Sequence, residues 1–296
     1  MRKIFIKELI KAAKKNKKII LIVNDLGYGV VDNFAKKFPK QFINAGVAEQ
    51  NMMGLAAGLA MDGNHVFVYS IGNFSTFRCA EQIRNDIDYH KLAVTIINVG
   101  PGVDYGHLGY SHHSIQDYSL MRTMPNMLIS SPSNNKETKI VTKYLLKNRN
   151  PNYLRLSKHE DVLPDDLNYN VNSLKPGKWI KLKNGKNKKK AILLTGNTLF
   201  VLNHFFSKKK YKDYSIFSLP LWGMKYKKYQ LSQAKKFNEI ITLENHLFDG
   251  GFGSWFNEAV LPNTNRIRIS NCFLKTNVIG QVGSEKFLIK KYFKTI

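Results

Sequence analysis

Cysteine is almost missing from this chain: Cys79 and Cys272 are the only two in 296 residues. They lie far apart and match no metal-binding or redox spacing. A disulfide-stapled scaffold and a zinc module are therefore excluded, and a reduced, cytoplasmic setting is the default. Long apolar runs are also absent, and none nears the ~20 residues that a membrane span needs. The N-terminus is basic, but Lys3, Lys7, Lys11 and Lys14 interrupt every apolar stretch, so no signal peptide is visible. Acidic residues are scarce. Asp and Glu number 21 against 46 Lys and Arg, a formal charge of +25. That balance raises nucleic acid as a partner. Yet no aromatic-interleaved arginine cluster accompanies the charge, so a solvated lysine-rich surface is the better reading and nucleic acid is disfavoured. An acidic partner chain is the intermediate option. The runs Lys186–Lys190 and Lys208–Lys210 are expected in loops or helix ends.

What is present is material for cores, with 43% apolar residues, and a regular alternation of strand and helix. Residues 4–16 read as an amphipathic helix and Ile19–Val23 as a buried strand. Strands follow at His65–Ser70, Ala93–Val99, Met127–Ser130 and Tyr153–Ser157. Helices are expected at 76–90, 114–124 and 134–148. Residues 159–177 hold Pro164, Asp165, Asp166, Pro176 and several asparagines, a linker composition. A second unit starts at Ala191–Thr195. Its helices are expected near 198–207, 229–236 and 253–260, and its strands at 214–218, 239–243 and 266–269. Strands separated by helices predict an α/β protein with two parallel-sheet domains, residues 1–160 and 179–296, joined by a linker at 161–178.

The most informative stretch is 42–61. An extended apolar start leads through Ala45-Gly46-Val47-Ala48 to Glu49, and then to small and apolar residues. Met52, Leu55, Ala56 and Leu59 share one helical face. Gly54, Ala57 and Gly58 allow another backbone to come close, from this chain or a second one. A carboxylate in the first turn, in apolar surroundings, needs a partner.

Here the chain resembles the pyrimidine-binding domain of the transketolase family, in which a Gly-hydrophobic-Ala-Glu motif opens the same helix. The resemblance continues through Phe74-Ser75-Thr76-Phe77-Arg78, Ser111-His112-His113-Ser114-Ile115-Gln116-Asp117 and Leu120-Met121-Arg122-Thr123-Met124-Pro125-Asn126-Met127. It ends in Glu244-Asn245-His246 and Gly250-Gly251-Phe252-Gly253-Ser254. It implies thiamine diphosphate chemistry. The cofactor's aminopyrimidine takes the proton from the thiazolium C2 when a carboxyl group bonds its N1′, and Glu49 matches that carboxyl. A charge-assisted bond in a dry pocket is strong, and burial tunes the proton sharing. Outside this motif the same glutamate would read as a cap or ion-pair residue. Phe74 and Phe77 match aromatic walls of the pyrimidine; a third aromatic position reads Ile71. Asp25 matches a strand-end aspartate near the thiazolium. His112 matches a substrate-facing histidine able to move protons at physiological pH, and His113 stands where the family has glutamine.

The departures bear on substrate choice. Leu108 replaces an aspartate that contacts the acceptor's α-hydroxyl. An earlier substrate-facing histidine aligns with Gly100, and a phosphate-holding serine aligns near Gly29. Lys158 replaces a phosphate-binding arginine, keeping the charge but losing the bidentate fork. The family's Gly-Asp-Gly motif with a following asparagine, which binds the diphosphate through Mg2+, is not found. The resemblance therefore implies the C-terminal subunit of a split transketolase. Its N-terminal partner would bring the diphosphate and Mg2+ site, in an α2β2 heterotetramer acting on sugars or sugar phosphates. Alternatives are a 2-oxo acid dehydrogenase E1 beta-type subunit, a deoxyxylulose-phosphate synthase-like subunit, and a basic scaffold or nucleic-acid-binding pseudoenzyme.

Overall fold

The computed structural model describes residues 1–158, 174–199, 201–202 and 211–295. Two largely parallel sheets, flanked by helices, carry the chain. The first takes β1 (Ile19–Val23), β2 (Phe42–Asn44), β3 (His65–Ile71), β4 (Val94–Val99), β5 (Leu128–Ser130) and β6 (Asn152–Leu156). All six pair in parallel, in the order β2-β1-β3-β4-β6-β5. β1, β4, β5 and β6 are buried at every position, which is what parallel strands covered on both faces require. The second sheet takes β7 (Ile180–Lys183), β8 (Asn187–Leu194), β9 (Tyr214–Ser218), β11 (Glu239–Leu247) and β12 (Arg268–Leu274), in the order β12-β11-β8-β9-β7. Only β7 runs antiparallel in it. A two-residue strand from the second half, β10 (Leu221–Trp222), crosses over and pairs antiparallel with β5 of the first sheet.

Helix α1 (Arg2–Lys15) buries Phe5, Ile6, Leu9 and Ala13. A short α2 (Asp32–Lys37) leads toward β2, and α3 (Glu49–Met61) connects β2 to β3. The buried face of α3 is Met52, Met53, Ala56, Ala57 and Ala60. Leu55 and Leu59, expected at its centre, are only half-buried at its border, while Gly54 and Gly58 face outward with open space above them.

Several expected elements differ in detail. The helix expected at 76–90 is a 3-10 turn (Phe77–Cys79), one α-turn (Ala80–Gln82) and a wide π-turn (Ile83–Asp88). The widening accompanies an inward Asp88, whose buried carboxylate accepts the Asn126 N–H at 3.1 Å. The helix expected at 114–124 shortens to Asp117–Met121, because Ser114 bridges back to Gly102. The lysine run beginning at Lys186 is not a loop from Asn187 onward. It opens β8, where the Lys190 ammonium pairs with Glu239 at 3.0 Å and the strand's exposed start keeps the other lysines in solvent. Lys208–Lys210, most of the expected helix near 198–207 and most of the expected linker 161–178 lie outside the described residues.

Among the described residues no helix is long and apolar enough to cross a membrane.

Candidate active site

Parallel α/β sheets bind ligands outside the carboxyl ends of their strands, at the point where strand order reverses. Here the chain passes from β2 over α3 to β3, on the other side of β1, so the reversal lies between β1 and β3. Asn24 follows β1 directly. Glu49 opens α3. Asn73 and Phe74 follow β3, Gly100 follows β4, and Ser157 and Lys158 follow β6.

At the reversal the Glu49 side chain is 3% exposed. Its Oε1 accepts the Asn24 Nδ2–H at 2.8 Å, and its Oε2 accepts an Arg78 guanidinium N–H at 2.8 Å. Burial pushes this carboxyl up, but the bonds from Arg78, its own backbone N–H and Asn24 outweigh burial and hold it below the usual glutamate range. The Arg78 guanidinium also lies over the Phe74 ring, 4.8 Å from its centroid. Asn24 donates its amino group to Glu49, and its carbonyl oxygen is buried without a partner among the described residues. A nearly buried anion, a free buried acceptor and an aromatic ring fit an aminopyrimidine, which brings N–H groups and a flat face.

Asp25 sits beside this group with φ +56, its N–H donating to Asn44 Oδ1 and its Oδ1 accepting the Asn44 amide, both at 3.0 Å. The pair clasps the ends of β1 and β2. Phe77 is 48% exposed and open to solvent or to another chain.

The site continues without a break. The His112 ring meets Phe74 edge-on at 5.2 Å, and its Nδ1 lies 2.9 Å from Ser111 Oγ. Burial, then His107, lowers its basicity below that of an ordinary histidine. Asn73 pins the loop in place by donating to the carbonyl of His113 at 2.7 Å. His113 itself is fully buried, with Nε2 3.4 Å from the Gly106 carbonyl. Leu108, in the turn Gly106–Leu108 of the same loop, is 47% exposed. The Lys158 N–H donates to Asp104 Oδ2 at 2.9 Å, and its ammonium lies over the Tyr105 ring.

Of the residues singled out from sequence, Glu49, Phe74 and His112 thus form one connected row. Asp25, Leu108 and Lys158 stand at its margins, and His113 lies beneath it. Asn24, Arg78 and Tyr105 carry no role in the sequence reading. Arg78 falls in a recognised block, but the direction of its guanidinium depends on the fold.

Glu244-Asn245-His246 and the following glycines do structural work. Glu244 accepts the N–H groups of Phe252 and Gly253, at 2.6 and 2.7 Å, and so caps the helix Phe252–Val260. A Cβ on Gly251 would stand 2.3 Å from Glu244 Oε2, which is why no larger residue fits there. His246 Nε2 accepts the Tyr118 N–H at 3.2 Å. The fully buried Arg155 reaches Asp117 at 2.9 Å, the Ser114 carbonyl at 2.9 Å and the Asn245 carbonyl at 3.3 Å. Together these tie the substrate-side loop to the second sheet.

Fold and site define a class, and the chain belongs to it: residues 1–161 match the transketolase pyrimidine-binding domain, so this is a member of the transketolase family. Among its relatives, the putative transketolase C-terminal section of Methanocaldococcus jannaschii is 31% identical over 99% of this chain and 91% of its own length. An apulose-4-phosphate transketolase subunit of Phocaeicola vulgatus is 31% identical over 90% of this chain and 86% of its own length. A solved structure described as a split-gene transketolase, inactive beta4 tetramer, superposes with TM-score 0.80 at 28% identity, covering 98% of this chain and 92% of that one. The family implies thiamine diphosphate as cofactor.

Proposed function

We propose that this chain is the C-terminal subunit of a split transketolase. It would transfer a two-carbon ketol unit from a ketose phosphate or related donor to an aldehyde acceptor. The observation that carries this reading is the nearly buried Glu49 carboxylate at the strand-order reversal, linked through the Arg78 guanidinium to Phe74, whose ring in turn meets His112. When bound, thiamine diphosphate supplies the electron sink for carbon–carbon bond cleavage. Glu49 and Asn24 hold the aminopyrimidine edge, with Glu49 carrying the charge that favours its proton-accepting form. Phe74 and Phe77 wall the ring, and Asp25 fixes the strand end beside it. His112, its basicity lowered by burial, accepts or donates a proton at a substrate hydroxyl. Lys158 meets an anionic group of the substrate as a point charge. His113 acts from below, by bracing the loop that carries His112.

The diphosphate and Mg2+ are assigned to an N-terminal partner in an α2β2 assembly. Relatives named as a subunit and as a C-terminal section support this, as does the open Gly54 and Gly58 side of α3. The exposed Leu108 favours an acceptor other than ordinary α-hydroxy aldose phosphates, such as a modified sugar. The isolated chain with cofactor and Mg2+ should show no transfer, and adding the N-terminal partner should restore it. Full activity of this chain alone would sink the split arrangement. Consumption of pyruvate by the complex would favour the deoxyxylulose-phosphate synthase-like alternative.

A further inference from the structure

The loop after β4 carries a tyrosine that the catalytic roles assigned so far leave idle. Gly100 follows β4 with φ +78, and a Cβ built on it would lie 2.1 Å from Cε2 and 2.2 Å from Cδ2 of Tyr105. The phenol ring therefore fills the space that any side chain at position 100 would need, over the carboxyl end of a central strand. Other groups of the site gather around that ring. The Lys158 ammonium, carried just past the neighbouring β6, lies 4.9 Å from its centroid. The His112 ring meets it edge-on at 6.4 Å, and His107 lies 6.5 Å away. Arg2, at the start of α1, is close enough for its charge to act on both Tyr105 and Tyr69. Asp104, whose Oδ2 accepts the Lys158 backbone N–H, is pushed up by burial and by Glu285. An aromatic face orients an ammonium without neutralising it.

We propose that Tyr105 is a specificity-determining residue of the acceptor end, which closes the strand-end space over Gly100 and aims the Lys158 ammonium at a terminal phosphate of the substrate. This rests on the transketolase reading, and it adds two separable roles. The ring is a wall, so acceptors branched toward Gly100 are excluded. The ring is also a support, so the phosphate grip of a flexible lysine depends on it.

The test compares Tyr105→Ala and Tyr105→Phe in the complex with the N-terminal partner, using matched phosphorylated and neutral aldehydes. Tyr105→Ala should raise KM for the phosphorylated acceptor about tenfold, with a smaller change in kcat and little change in KM for the neutral one. Tyr105→Phe should recover the wild-type ratio, because the face and not the hydroxyl carries the role. Gly100→Ala should lower Tm, and adding Tyr105→Ala should recover part of the loss. Equal changes for both acceptors, or Tyr105→Phe behaving as Tyr105→Ala, would overturn the proposal. A second readout separates it from the functional reading: inorganic phosphate titrated into the chain, followed by the NMR signals of the His112 ring. Wild type should show a saturable shift, and Tyr105→Ala should need about tenfold more phosphate. No shift in wild type, or identical curves, also overturns it. Should no sugar transfer be found for the complex, these titrations still decide the role of Tyr105.

Discussion

The two ends of the site are built differently. At the Glu49 end, the polar groups are held by residues at or just past the ends of β1, β2 and β3, and the central carboxylate is shielded from water. At the Lys158 end, the groups sit on one loop, residues 100–113, and on Lys158, two residues past the end of β6. There the contacts are ring faces and edges, and Leu108 and Tyr110 stand exposed. The shared blocks around Glu49 and Phe74 fall at the first end, whereas the departures at Gly100, Leu108 and Lys158 fall at the second, next to the shared block that begins at Ser111. Chemistry that recurs needs a rigid strand-end mount, whereas a loop lets the substrate change without disturbing that mount.

The strongest challenge to this contrast is Glu49→Gln. It keeps shape but removes the anion, and should slow C2 proton exchange of bound cofactor about a thousandfold, equivalent to ~4 kcal/mol of barrier. Thermal unfolding should show the fold retained. Wild-type exchange in the variant would make Glu49 structural and dissolve the distinction between the ends.

Next in size is Arg155→Met, which tests whether the loop end borrows its rigidity. The substitution strands the buried Asp117 carboxylate, and chemical denaturation should report a loss of about 3 kcal/mol. Hydrogen exchange should show the added opening in residues 100–116 and not around Glu49. Uniform opening would mean that both ends share one support.

A pH series separates the ends from the scaffold beneath them. Burial lowers His65 and His246 to about 4 from 6.5. The folded state therefore binds fewer protons than the unfolded chain below pH 6.5. Stability is fully present above that value and is lost as pH falls toward 4. Between pH 6.5 and 5 each histidine should contribute a loss of about 2 kcal/mol. His65→Gln should flatten the denaturant-midpoint curve over this window; an unchanged slope would remove His65 from the account.

The smallest expected effect sharpens the comparison. Leu108→Asp should raise the preference for α-hydroxylated over α-deoxy aldehydes about tenfold, ~1.4 kcal/mol of discrimination, with C2 exchange unaffected. If exchange moves with acceptor preference, the two ends are not independent.

Much of this is legible in the sequence. β1 and β9 fall where their apolar runs predict them, and Glu49, Phe74 and His112 stand out because each lies in a local block beside a strand end. The partners of Glu49 do not stand out. Asn24 is 25 residues away and Arg78 is 29, and only the order of parallel strands brings them together. Tyr105 is hidden for another reason: its significance lies in the backbone angle of Gly100, which a sequence does not display. β7 and β10 escape because one is an edge strand of four residues and the other has two, too short for any periodicity.

β10 bears on how the molecule can be taken apart. Leu221 and Trp222 are fully buried, and Trp222 packs on Tyr118, 4.8 Å between rings. A cut between β6 and β7 would not release two self-sufficient pieces. The N-terminal fragment would carry β5 with a bare edge, a template for self-association. The C-terminal fragment would project an unsheathed tryptophan. Dissection by expression of separate halves would thus meet aggregation on both sides, and only co-expression would let the hook find its edge.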